Sequence, residues 1–436
     1  MSFQQGISGL NAASRNLEVI GNNIANANTV GAKSSRVEFA DIYANASGSS
    51  SAAMPGMGVQ VAAVTQQFGQ GSIRATENPM DIAINGTGFF VVASPGAQGD
   101  KAYTRNGQFQ LDRQGYMTTA SGMRLQGRMT DATTGQPTGI VGDVQLPAQG
   151  IAPNVTGSAT LGLNLDGRTA APTAATPAFD LANAASYNSS TSIPVYDQQG
   201  NEHVLSTYYR RTTADNTWDV YASLDGAPVP ALAGGTQAPV GRLVFQAGGT
   251  LDATASGTLA GGTVTPGDVT VDVPFPTATL PVAGSSSSAT APVKLSFASS
   301  TQFGNPFGVN SVTQDGYAAG QLTGFGVGAD GIVQARYSNG RTLPAAQIAL
   351  ASFRNEQGLS PMGNNLWQAT PTSGVPAVSG PGTASLGVLQ GGALEESNVD
   401  LTQQLVDMIG AQRAYQANAQ TIKTQDQMLS TLVNLR

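Results

Sequence analysis

The chain contains no cysteine in 436 residues, which excludes a disulfide framework, a thiol nucleophile and any thiolate metal site. Such a chain suits passage from a reducing to an oxidising space, because nothing in it can mispair. Charge is scarce too, at 11% of residues against roughly 25% in an average globular protein. Lys and Arg number 20 against 27 Asp and Glu, a formal net charge of −7, and the longest basic cluster is Arg210-Arg211. Nucleic-acid binding needs clustered cations to neutralise phosphates, and an electrostatic membrane anchor needs the same; neither is expected. There is one histidine, His203. Alone it supplies no metal site, and its ordinary reading is a surface or half-buried strand residue. No run approaches 18 consecutive apolar residues, so no transmembrane helix is expected. Residues 1–25 lack a charged start and a continuous apolar stretch, so they do not read as a secretory signal.

What fills the space is glycine, 54 residues, or about 12% where about 7% is usual, together with Ala, Ser, Thr, Asn and Gln. The length is enough for two or three domains. The two ends resemble each other and differ from everything between. Phe3, Ile7, Leu10, Leu17 and Ile24 fall on a 3-and-4 spacing, a heptad-like seam on one helix face. Ser2 and Gln5 have the form of a capping box, and the helix is expected to run to about Asn28. At the other end Leu401, Leu405, Met408, Tyr415, Ala419, Ile422, Leu429 and Val433 keep the same rhythm, interrupted by Gln412 and Asp426. Ser397 and Asp400 give a start signal, and a helix is expected from about Asn398 to Leu435. A helix that long with one apolar stripe needs a partner. The first helix holds Gly6, Gly9, Gly21, Asn22, Asn23, Asn26 and Asn28, all poor helix formers. Both ends are therefore expected to order when they meet each other and further copies of the chain, and the twelve stripe residues (Phe3, Ile7, Leu10, Leu17, Ile24, Leu401, Leu405, Met408, Tyr415, Ile422, Leu429 and Val433) are the expected subunit interface.

Between the ends the pattern is β. Residues 82–92 place a glycine turn between two apolar runs, and residues 103–111 straddle Asn106-Gly107, a hairpin signal. Asp330-Gly331 and Asn339-Gly340 punctuate a second region, and alternation over 193–196, 203–209 and 218–224 marks a third. Residues 44–58 and 370–385 read as extended linkers, and 150–190 and 250–292 as low-charge flanks of an inserted domain. Pairing of the ends implies nesting: a terminal helical domain (1–33 and 394–436), linkers (34–70 and 370–393), an inner β domain (71–145 and 298–369) and an outer β domain (146–297). The expected class is α+β, with paired, coiled-coil-like terminal helices and nested, mainly β domains.

Chemical motifs are weak. Residues 326–331 match G-x-G-x-x-G, but Asp330-Gly331-Ile332-Val333 reads as a turn into a strand, not into the helix that nucleotide binding requires. Asp219 and Asp225 are the candidates for a carboxylate pair, and their expected positions are exposed or turn-like. No enzyme and no cofactor are expected.

Residues 9–31, with Asn-Asn-Ile-Ala-Asn followed by Thr-x-Gly, resemble the N-terminal signature of the flagellar rod and hook axial proteins. Residues 78–90 resemble that family's first strand pair, and 392–401 and 408–420 its C-terminal signature. The closing segment 421–436 and the presence of an outer domain are similar to hook rather than rod members; Ala32 stands where the family often has Phe. The resemblance implies a structural subunit that polymerises into a curved, flexible tube and transmits torque. It also implies export without a cleaved signal, and as partners further copies, a cap protein, the distal rod, hook-filament junction proteins and the export apparatus. The alternatives are a distal rod subunit and, in another class, a secreted β-rich adhesin or glycan-active enzyme.

Overall fold

A computed structural model describes residues 2–41, 58–96, 100–131, 135–147, 150–173, 179–230, 237–260, 262–274 and 290–434; within these, the side chains of 2, 3, 290, 291 and 432–434 are not described. The chain forms two compact units, 1–148 with 322–336 and 340–436, and 149–321 with 337–339.

The first unit holds both helices, α1 (Ser2–Ala25) and α2 (Leu401–Asn434). The first helix stops three residues short of the expected end, in turns closed by Asn26 and Thr29. The second begins at Leu401 because Asp400, not Ser397, caps it: Asp400 Oδ1 accepts from the amides of Thr402 (2.8 Å) and Gln403 (3.1 Å). Beside α1 lies a two-stranded antiparallel hairpin, β1 (Ser35–Asp41) and β2 (Val59–Gln66), so 59–66 is a strand where a linker was expected. Residues 44–57 of that expected linker lie outside the described residues.

The body of the unit is a large mixed-order β-sheet built around Phe89–Ala93, whose five residues are all buried. An uninterrupted apolar run of this length marks a strand covered on both faces. Phe90 and Val92 pack with Ile82, Ile84, Leu125 and Ile348 on one side; Phe89 and Val91 pack with Tyr103 and Trp367 on the other. Two expected hairpins are not formed. Ile82–Asn85 pairs with Val388–Gly391 instead of with Phe89–Ala93, because Gly86 and Gly88 have φ of +113° and +118° and turn the chain out of plane. Lys101–Thr104 pairs with Phe89–Ala93 and with Leu366–Gln368, while Phe109–Leu111 pairs with Met117–Thr119. The Asn106-Gly107 step is a local Asx turn, with Asn106 Oδ1 accepting from the Gln108 amide. The expected 370–393 linker contains Ala377–Ser379, Val388–Gly391 and the start of Ala393–Glu395, each paired into a sheet.

The second unit packs a seven-stranded sheet and a five-stranded sheet about one core that includes Leu161, Leu163, Ile193, Leu205, Tyr209, Trp218, Val271 and Leu295. Its central strand Ser158–Asp166 runs parallel to Thr290–Ser296 and Thr301–Phe303 and antiparallel to Gly308–Gln314. Residues 298–321, expected in the inner domain, therefore belong here. Burial raises the Tyr209 hydroxyl above its ordinary pKa.

Candidate functional site

The helix pair carries the candidate site, and its geometry starts from small residues. A Cβ on Gly6 would lie 3.0 Å from Ile422 Cγ1, and one on Gly9 would lie 2.8 Å from Asn418 Oδ1. Near the far end Asn23 Nδ2 donates to Gln404 Oε1 at 3.0 Å. Residue numbers rise on α1 as they fall on α2, so the helices are antiparallel. The shared seam runs through Gly6, Gly9, Ala13, Ile20 and Asn23 on α1, and through Gln404, Met408, Ala411, Asn418 and Ile422 on α2. Glycine permits close backbone approach. Asn23, 4% exposed, also exchanges two bonds of 2.8 Å with Ser35, so it ties α1 to β1 as well as to α2. Ser8 Oγ accepts from the Val59 amide and holds the other end of the hairpin.

This seam is not the apolar stripe read from periodicity. On α1, Ile7 is 40% exposed, and Leu10, Leu17 and Ile24 are only half-buried; a Cβ on Gly21, one turn after Leu17, would meet nothing within 4 Å. On α2 the stripe divides. Met408 and Ile422 are half-buried in the seam, and Tyr415 borders it at partial exposure. Leu401 and Leu405 face out, with Leu405 45% exposed, and Leu429 lies beyond the start of α1 at 55% exposed. Periodicity missed Val406 and Ile409, both more than half exposed. The side chains of Phe3 and Val433 lie outside the described residues.

The pair is anchored to the sheet body by a buried charge cluster. Glu395, six positions before α2, accepts from Lys33 Nζ at 2.6 Å, Arg105 Nη1 at 3.2 Å and the Gly71 amide at 3.0 Å. Lys33 also donates to the Gly69 carbonyl at 2.9 Å, and the Arg105 guanidinium stands 5.2 Å over the Phe89 ring. Burial lowers the Lys33 amine below its ordinary pKa, against the raising effect of Glu395. Gly31, at φ +69°, donates its amide to the Glu395 carbonyl at 2.9 Å. Asn398 reaches the same join, accepting from the Ser34 amide at 2.8 Å and donating to the Gln67 carbonyl at 2.7 Å. Lys33, Arg105 and Glu395 were not singled out from the sequence. The available signal was rarity: in so charge-poor a chain, Lys33 and Glu395 stand beside the apolar Ala32 and Leu394.

The acids weighed for catalysis are otherwise engaged. Asp219 is buried in a central strand and accepts from Arg242 Nε at 2.8 Å, contrary to the exposed position expected. Asp225, in a turn at φ +48°, lies 2.7 Å from His203 Nδ1. Among the described residues no cluster of His and acidic groups is placed to hold a metal, and no helix is long and apolar enough to cross a membrane.

Known proteins match every part of this architecture. Residues 3–33 match the flagella basal body rod protein family, 83–162 the flagellar hook protein FlgE/F/G D1 domain, 164–317 the flagellar basal body protein FlaE D2 domain, and 390–435 the flagellar basal body rod FlgEFG protein C-terminal family. The flagellar hook protein FlgE of Escherichia coli is 40% identical over the whole of both chains, that of Salmonella typhimurium 39% likewise, and that of Rhizobium meliloti 34% over all of this chain and 98% of its own. Among solved structures, the Helicobacter pylori flagellar hook protein FlgE2 aligns with 73% of this chain and 99% of its own, with a TM-score of 0.50 at 14% identity, a likeness of fold. End-to-end identity with hook proteins of several bacteria, over helices and both β units alike, makes this chain a member of the flagellar hook protein FlgE family and a structural subunit of the bacterial flagellar hook.

Proposed function

We propose that the subunit polymerises through its helix pair into a curved, flexible tube that carries motor torque from rod to filament. The observation behind this is the mismatch between seam and stripe. The two helices approach most closely at Gly6 and Gly9, while Leu401, Leu405, Ile409 and Ile7 are left exposed on the outside of the pair. Exposed large apolar side chains recurring along a helix pair mark an interaction surface, and their spread along the pair suits lateral contact with further copies. The pair then acts as a coiled-coil-like core element. The nested β units, poor in charge, contact neighbours without fixed ion pairs and slide as the tube bends. The cap, the distal rod and the hook-filament junction proteins are the further partners in this reading. Export proceeds without cleavage of the segment that forms α1.

Electron microscopy of the purified chain under polymerising conditions tests the proposal, alongside a variant lacking residues 1–25 and 401–436, which removes both helices and keeps Lys33, Arg105 and Glu395. Curved tubes from the full chain and a soluble monomer from the truncation are expected. Straight, rigid tubes would refute the curved, flexible polymer, and polymers of the truncated chain would refute the role given to the helices.

A further inference from the structure

Helix α2 is longer than its partner. With Gly6 against Ile422 and Gly9 against Asn418, the first described residue of α1, Ser2, stands near Gln425, and residues 426–434 continue past it for roughly two and a half turns. The heptad column Met408, Tyr415, Ile422 reaches Leu429 in this overhang, so a residue of the seam type is left 55% exposed, with Met428 beside it at 60%. A helical extension with no packed face lacks the tertiary burial that supplies most helix stability in proteins.

At the other end of the pair there is a groove of about 680 Å³ where α1, α2 and β1 converge, lined by Val19, Val37, Phe39, Val406 and Gly410 among others. Phe39 and Val406 are exposed in it, and a Cβ on Gly410 would touch nothing within 4 Å. Its margin carries Arg36 and Asp407. The overhang carries Asp426, and Lys423 lies one turn before it. Among the described residues Arg36, Asp426 and Lys423 form no ion pair within the chain.

We infer that the α2 overhang of one copy seats Met428 and Leu429 in the Val37–Phe39–Val406 groove of a second copy, with Asp426 facing Arg36 and Lys423 facing Asp407. Knob and groove lie at opposite ends of one helix pair and are different surfaces. The contact is therefore heterologous, and repeated head to tail it generates an open filament instead of a closed dimer. It is an axial joint, distinct from lateral packing along the open stripe, and it rests on the polymer reading above.

Absence of cysteine makes the test clean. The double variant Phe39→Cys/Leu429→Cys, assembled and then oxidised, is expected to run as a ladder of covalent multimers under non-reducing conditions, while each single variant stays monomeric. A covalent dimer from Leu429→Cys alone, or an assembled double variant with no ladder, overturns the inference. Because the double variant removes apolar side chains and can fail to assemble, a charge exchange provides the second arm. Arg36→Asp and Asp426→Arg are each expected to raise the critical concentration by roughly tenfold, and the two together to restore it. Unmodified assembly by both single variants, or no recovery in the pair, overturns the joint and leaves the polymer reading standing; an unmodified chain that never polymerises overturns both.

Discussion

Lys33 Nζ lies 2.6 Å from Glu395 Oε1, with neither side chain exposed, although 362 positions separate them in the chain. Together with Arg105, this pair fixes the exit of α1 and the approach to α2 at one point on the sheet body.

Glu395→Ala is expected to destabilise the first unit by about 3–5 kcal/mol, because Lys33 and Arg105 are left buried and uncompensated. Arg74→Ala, which removes a 2.9 Å pair with Glu396 between two exposed side chains, is expected to cost less than about 1 kcal/mol. Urea midpoints of both variants check the contrast, and equal effects would contradict it.

The same cluster predicts a pH slope. The Lys33 amine is lowered in the folded chain, so just below the ordinary value of 10.5 the unfolded chain binds the extra proton and stability rises with pH. In Lys33→Met that contribution is absent. The stability of the parent minus that of Lys33→Met is therefore expected to increase as pH rises towards 10.5; a decrease over that window would show the amine is raised instead.

Glycines on α1 are expected to respond according to the face they occupy. Gly21→Ala, with open space around the new Cβ, is expected to stabilise the monomer by about 1 kcal/mol through helix propensity. Gly9→Leu drives a branched side chain into Asn418 and is expected to cost about 1–3 kcal/mol. Thermal unfolding followed at 222 nm separates the two.

Stripe and seam differ in the same way. Leu405→Asp and Ile409→Asp, both on exposed positions, are expected to leave monomer stability within about 0.5 kcal/mol and to abolish polymerisation by placing charge in the lateral contact. Ile422→Asp is expected to do both kinds of damage, since that side chain also faces Gly6. Sedimentation of polymer alongside monomer melting would distinguish these outcomes.

The helices themselves were legible because each repeats an apolar 3-and-4 spacing over many turns, and their bounds moved by only a few residues. Which face meets the partner was not legible. Hydrophobic periodicity counts Ile7 and Leu17, whereas the helices meet at Gly6, Gly9 and Asn418, residues that such a count ignores. Strand existence was legible around Phe89–Ala93, but pairing was not. Ile82–Asn85 finds its partner at Val388–Gly391 and Ile73–Ala75 at Ala393–Glu395, across about three hundred residues where local turn chemistry has no reach. Asn106-Gly107 misled because an Asn side chain can close a turn on its own backbone without returning a strand. The boundary near 298 was missed because Ser158–Asp166 takes neighbours from both sides of position 298, two parallel and one antiparallel.

The position of Glu395 also sets an order of events. A chain emerges from its amino end, so Lys33 and Arg105 arrive early and wait for their counter-charge until nine-tenths of the polypeptide exists. Ala393–Glu395 is also the strand that Ile73–Ala75 pairs with. An unfinished chain therefore has two cations without their anion and a strand without its neighbour, and its leading helix is held by the hairpin beside it but not by α2. Closure of the molecule becomes a last step that only a complete product can take, because burying Lys33 and Arg105 without Glu395 would cost more than leaving them in water.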